Sequence, residues 1–160
     1  MSDTRFNLVQ DRKGMMWDLL LYVPTVVALL SMVLKFWYSG DVSLAYLFSF
    51  LASFFFIAGA NRILKTRLML LPAAPIAIEI GKQVTRIMMR NGEKVELVKD
   101  LRLYADYSGR SFGLAGLNKS DQRLQFVFHK GQFSSLKDYQ AIQEMLKLAS
   151  SPSDFFPIKK

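Results

Sequence analysis

The chain has 160 residues, 51% of them hydrophobic, with formal charge +8, pI near 9.8 and mean hydropathy +0.18. It has no cysteine, which excludes disulfides and thiolate-bound metals. A basic balance suits nucleic acid or anionic lipid. Lipid is the simpler partner here, because apolar residues crowd between Met15 and Ala60 and charges take over from Arg62.

Arg12 and Lys13 precede the first apolar run. That run exceeds the roughly 7–15 residues of a signal-peptide core, and no small-residue cleavage site follows closely, so it reads as retained. Met15 to Leu34, MMWDLLLYVPTVVALLSMVL, has the length of a membrane-crossing helix, about 20 residues for about 30 Å of hydrocarbon. Trp17 and Tyr22 lie near one end and Phe36, Trp37 and Tyr38 near the other, as interfacial aromatics do. The first predicted span therefore covers residues 15–38. Lys35 is placed to snorkel, and Pro24 is expected to bend the helix. Asp18 has two readings: a headgroup-level carboxylate near Lys13 or Arg12, or part of an ion path.

Ser39-Gly40-Asp41 predicts a tight turn. Val42 to Ala60 carries no charge and makes a second span over 42–60. The competing reading is a buried hairpin of a soluble protein, but two such runs overfill so small a core. Ala45, Ser49 and Ser53 recur at four-residue spacing and are the candidate helix-packing stripe. Phe48, Phe50, Phe54, Phe55 and Phe56 face lipid or a larger partner. Arg5, Arg12 and Lys13 before the first span, with Arg62, Lys65 and Arg67 after the second, outweigh Lys35 in the turn. Both termini are therefore expected in the cytoplasm.

Arg62 to Leu71 is a basic connector, and Pro72 and Pro75 stop any helix. Strands are then expected over 76–80, 84–90, 94–98, 100–107, 112–117 and 123–130, with Asn91-Gly92 as a hairpin turn. In the last strand Leu124, Phe126 and Phe128 share one face. Leu136 to Ala149 is an amphipathic helix with an apolar stripe of Leu136, Tyr139, Ile142, Met145, Leu146 and Ala149, capped by Ser134 or Ser135.

Chemistry is sparse. His129 is the single histidine, and a metal at it would need carboxylates from elsewhere. No sequence feature brings Ser111 or Ser120 to it for Ser-His-Asp catalysis. GRSFG at 109–113 lacks the Lys-Ser/Thr pair of a phosphate loop. No catalytic, cofactor-binding or metal-binding residue is assigned. The candidate binding residues are Lys82, Arg86, Arg90 and Lys94 around the Asn91-Gly92 hairpin, facing anionic lipid, a protein partner or solvent. No aromatics interleave with them as a single-strand nucleic-acid binder needs, so nucleic acid is set aside. In the tail 150–160, Phe155 and Phe156 are placed to touch a membrane or a partner.

The step at Lys99-Asp100-Leu101, then RSFGLAGL, RLQFVFHK and a closing helix, resembles the order of a pleckstrin-homology-like domain, which in bacteria often follows two membrane helices. The layout is also similar to that of photosystem assembly factors. The resemblance implies an α+β membrane protein: a hairpin in 1–67, a cytoplasmic domain in 68–149, and the tail. It implies a non-catalytic accessory, scaffold or assembly subunit of a larger complex in the bacterial inner membrane. The alternatives are an anionic-lipid-responsive module, and a transporter or enzyme component using Asp18 or His129.

Overall fold

The computed structural model describes residues 3–150. These form an α+β protein of two compact units. One is residues 10–74; the other joins the residues up to Val9 with those from Pro75 onward.

The first unit is a helical hairpin. Helix α1 spans Arg12–Ser39 and α2 spans Val42–Arg62, followed by one π-helical turn, Ile63–Arg67. Both helices are long and apolar enough to cross a membrane. Asp11 caps α1 by accepting a 2.8 Å hydrogen bond from the Gly14 N–H. Gly40 ends α1 in the left-handed conformation at φ +88°, which favours glycine. The helix runs unbroken through Pro24. Phe36 stacks on Phe48 at 5.4 Å, and Trp37 meets Tyr46 edge-on at 6.2 Å, next to the turn.

The buried residues of α2 are Ala45, Ala52 and Gly59, seven apart. This corrects the expected stripe: Ala45 belongs to it, but Ser49 is half-buried and Ser53 faces outward, donating to the Ser49 carbonyl at 2.9 Å. The reason is geometric. At about 100° per residue, each four-residue step drifts about 40°, whereas seven residues return within about 20°. A Cβ built on Gly59 would lie 2.7 Å from the Tyr22 ring. Small residues at seven-residue intervals thus let the helices close as a lipid-embedded pair does.

The second unit is built from seven strands: β1 Thr4–Asn7, β2 Pro75–Ile80, β3 Thr85–Met89, β4 Lys94–Leu97, β5 Lys99–Ala105, β6 Ser111–Leu117 and β7 Arg123–His129. Helix α3, Leu136–Ser150, closes it. The strands form two antiparallel sheets, ordered β1-β2-β3-β4 and β5-β6-β7. Every strand expected after Pro75 is present, and Ser135 caps α3 through the Asp138 N–H at 3.1 Å. Strand β1 is the departure. The sequence groups these residues with the hairpin, yet Thr4 to Asn7 pair with Ile80 to Ala77, and the Leu8 and Val9 N–H groups reach the carbonyls of Ile76 and Gln132. Four residues are too few for a periodic signal, and their partner lies beyond both long helices.

The core forms where alternation turns apolar residues inward. Ile78, Ile87, Leu97, Leu114 and Phe128 are fully buried. Phe112 gathers Phe128, Phe133 and Tyr139 with ring centroids within 6.0 Å. Leu97 approaches Gly116 so closely that a Cβ there would lie 3.2 Å away, which brings the two sheets together. The buried stripe of α3 is Tyr139, Ile142 and Leu146, with Met145 half-buried. Leu136 and Ala149, expected in it, are exposed at the helix ends.

Candidate functional site

Four charged groups of the hairpin, Asp11, Asp18, Arg62 and Arg67, converge. Asp11 is 5% exposed, Asp18 6% and Arg67 8%, while Arg12, Lys13, Lys35 and Asp41 of the same unit are exposed near the helix ends. The Arg67 guanidinium donates from Nε to Asp18 Oδ2 at 2.7 Å and from Nη1 to Asp11 Oδ2 at 2.5 Å. Arg62 donates from Nε to the same Asp18 oxygen at 3.2 Å. Two carboxylates and two guanidiniums make a network with no net charge. A buried charge is tolerated when paired and hydrogen-bonded, so the pairing is what allows these residues among apolar helices.

The chain's local geometry serves this contact. Arg62 and Arg67 are five residues apart, which on an α-helix would put them about 140° apart. The π turn, closed by the Leu68 N–H to the Ile63 carbonyl at 2.9 Å, adds a residue and brings both toward one carboxylate. Gly14 leaves the space: a Cβ there would collide with the Asp11 carboxylate and the Arg67 guanidinium. Asp11 serves twice, one oxygen capping α1 and the other holding Arg67.

Asp18 is therefore bound by Arg67 and Arg62 from the second helix, not by Lys13 or Arg12 as the sequence reading favoured. A usable signal was present. Asp18 and Arg62 each stand 22 residues from Gly40, so folding the hairpin at that turn sets them opposite one another. Arginine does not release its proton at any ordinary pH, so the network is built to clamp two helices.

The four basic residues of the sheet unit do not gather. Lys82 sits in the turn between β2 and β3, while Arg90 and Lys94 sit at the other end of β3, a strand of about 17 Å. Arg86, between them, donates to Glu96 at 3.0 Å and to Asp3 at 3.2 Å. Register explains this. Arg5 faces Glu79, Glu79 faces Arg86, and Arg86 faces Glu96, so charge alternates in sign across the sheet. Lys119 adds a contact to Glu96, and hydrogen bonds from Lys119 and Arg86 hold that carboxyl below the usual glutamate range. A second exposed knot joins Asp100 to Arg102 at 3.0 Å and to Arg123; its hydrogen bond from Arg102 comes first in keeping the Asp100 carboxyl low. Burial pushes the Tyr139 phenol up.

The strand register sets Ser111 opposite His129, a pairing that no sequence motif signals. Asp106 accepts from the Ser108 hydroxyl and from Ser111 at 3.5 Å. Among the described residues no three His, Asp or Glu side chains gather as a metal set. Phe155 and Phe156 lie outside the described residues. Comparison with known families, with curated proteins and with solved structures returns no match to this chain.

Proposed function

We infer that this is a two-span protein of the bacterial inner membrane, a non-catalytic accessory, scaffold or assembly subunit that docks a larger membrane complex. The observation that carries the reading is the inverted surface of the hairpin. Leu20, Leu21, Val27, Phe50, Phe56 and Ile57 are all more than 50% exposed, while Asp11, Asp18 and Arg67 turn inward and pair. So large an apolar surface is a liability in water and is matched by lipid or an apolar partner. A core helix of a soluble protein would be covered, but none of the most apolar stretch of α1 is buried, and only 17% of that of α2.

The second unit supports a docking role. We read its four plus three antiparallel strands closed by one helix as a pleckstrin-homology-like domain with the hairpin inserted after the first strand, a reading the strand order supports. Because β1 precedes the hairpin and β2 follows it, both flanks of the hairpin lead into one sheet. They belong on one side of the membrane, which the flanking Lys and Arg make the cytoplasmic side.

A photo-crosslinking residue in place of Phe56, in cells at native abundance, tests the subunit reading. Discrete protein adducts of higher mass, identified by mass spectrometry, are the expected result. Crosslinks to lipid alone, with the chain migrating by itself, would contradict it.

A further inference from the structure

Where the β2–β3 turn, the β4–β5 step and the last turn of α3 meet, the sheet unit leaves a cavity of about 110 Å³ with a mainly polar lining. That is several times the roughly 10–15 Å³ that admits one water. It is well below the roughly 300–1,000 Å³ of a site for a drug-sized ligand. The space suits one small polar group.

Thr85 points to what that group is. It opens β3, lines the cavity and is 2% exposed. Its hydroxyl makes no hydrogen bond to another described residue. Every fully enclosed side-chain nitrogen or oxygen among the described residues has a partner. The Thr85 hydroxyl is therefore not enclosed, and it opens onto the space that Thr85 lines.

The charge around it is positive. Lys82 and Lys99 also line the cavity, and both are exposed. Asp100 is the carboxylate of the lining, and it already accepts from Arg102 at 3.0 Å and from Arg123. Lys99 reaches Asp121 at 3.4 Å in an exposed pair, where water competes and little holds the lysine in place. Four cations and two carboxylates thus make up this corner. Two ammoniums, a buried hydroxyl and the side-chain amide of Gln83 form a donor set that matches a tetrahedral oxyanion.

We propose that this corner binds a phosphate group, with Lys82 and Lys99 pairing with its charge and the Thr85 hydroxyl donating to one of its oxygens. The phosphate is carried by an anionic lipid headgroup or by a small soluble molecule. The site stands whether or not the hairpin docks a complex.

Lysine acylation of the full-length protein, read residue by residue by mass spectrometry, tests it. In detergent, inorganic phosphate is compared with chloride at equal ionic strength. Phosphate is expected to slow modification of Lys82 and Lys99 several-fold and to leave Lys94, at the far end of β4, unchanged. Thr85→Val should remove most of that protection and keep the unfolding midpoint in chloride, because the hydroxyl it deletes holds no other residue. Thr85→Ser, which retains the hydroxyl, should retain the protection. Equal protection in Thr85→Val and the native chain would overturn the proposal, as would its loss in Thr85→Ser or slowing of Lys94 by the same factor. Reconstitution in phosphatidylcholine vesicles separates the two sources. Protection that appears with phosphatidic acid and no added phosphate assigns the group to a lipid, and protection that needs soluble phosphate assigns it to a solute. Protection in neither condition would overturn the site.

Discussion

In the hairpin, Asp11, Asp18 and Arg67 lie inside and leucine, valine and phenylalanine lie outside. In the sheet unit Ile78, Phe112 and Phe128 lie inside, and Arg5, Glu79, Arg86 and Glu96 alternate on the surface. The same ion-pair chemistry does different work in the two places. Buried in the hairpin, each charge depends on its partner, because no water replaces a lost contact. On the sheet, water and neighbouring charges substitute readily.

Removing one arginine from each region should separate them most widely. Arg67→Leu takes the guanidinium from buried Asp11 and leaves Asp18 with Arg62 alone; it is expected to cost about 3–5 kcal/mol, read as a large drop in unfolding midpoint in detergent. Asp18→Asn in the same chain should recover part of it. Arg86→Leu, with comparable partners on the surface, should cost less than about 1 kcal/mol. Similar losses for the two arginines would break the distinction.

Apolar truncation should show the reverse pattern. Phe112→Ala is expected to lose about 3–5 kcal/mol from the sheet unit. Phe56→Ala, facing outward from the hairpin, should stay within about 0.5 kcal/mol. The helix seam is the next test. Gly59→Val pushes a side chain into Tyr22 and should cost about 1–3 kcal/mol, whereas Ser53→Val, off the seam, should change stability by no more than about 0.5 kcal/mol.

The smallest effect is that of acid. Glu96 titrates lower in the folded protein than its ordinary value, because Lys119 and Arg86 donate to it. Its contribution is therefore present above the unfolded pKa and is lost as pH falls through the folded one. The melting temperature of the sheet unit should fall as pH drops below about 4.3. Glu96→Gln should flatten part of that fall, and an unchanged slope would remove the role.

How much of this could be read in the sequence depended on periodicity. Arg123 to His129 alternates except at Val127, and Leu124, Phe126 and Phe128 turn inward as expected. The two long apolar helices were equally plain from length alone. Strand β1 was not, since Thr4–Asn7 is too short to carry a period and its partner is some seventy residues away. The packing seam was misjudged because a four-residue repeat looks regular in print but rotates around the helix. The Arg67 network was missed because flanking arginines were counted for orientation and not paired with Asp18 across the turn. The basic group around Asn91-Gly92 dissolved once cross-strand register set Glu79 and Glu96 beside Arg86.

The central claim is that α1 and α2 cross a lipid bilayer with the sheet unit on the cytoplasmic side. Single-cysteine variants at Ser39, in the helical turn, and at Ser120, between β6 and β7, test it in intact spheroplasts with a membrane-impermeant maleimide. Labelling at 39 without lysis, and at 120 only after lysis, is the expected result. Labelling of both positions from the same side, or recovery of the chain in the detergent-free soluble fraction, would contradict it.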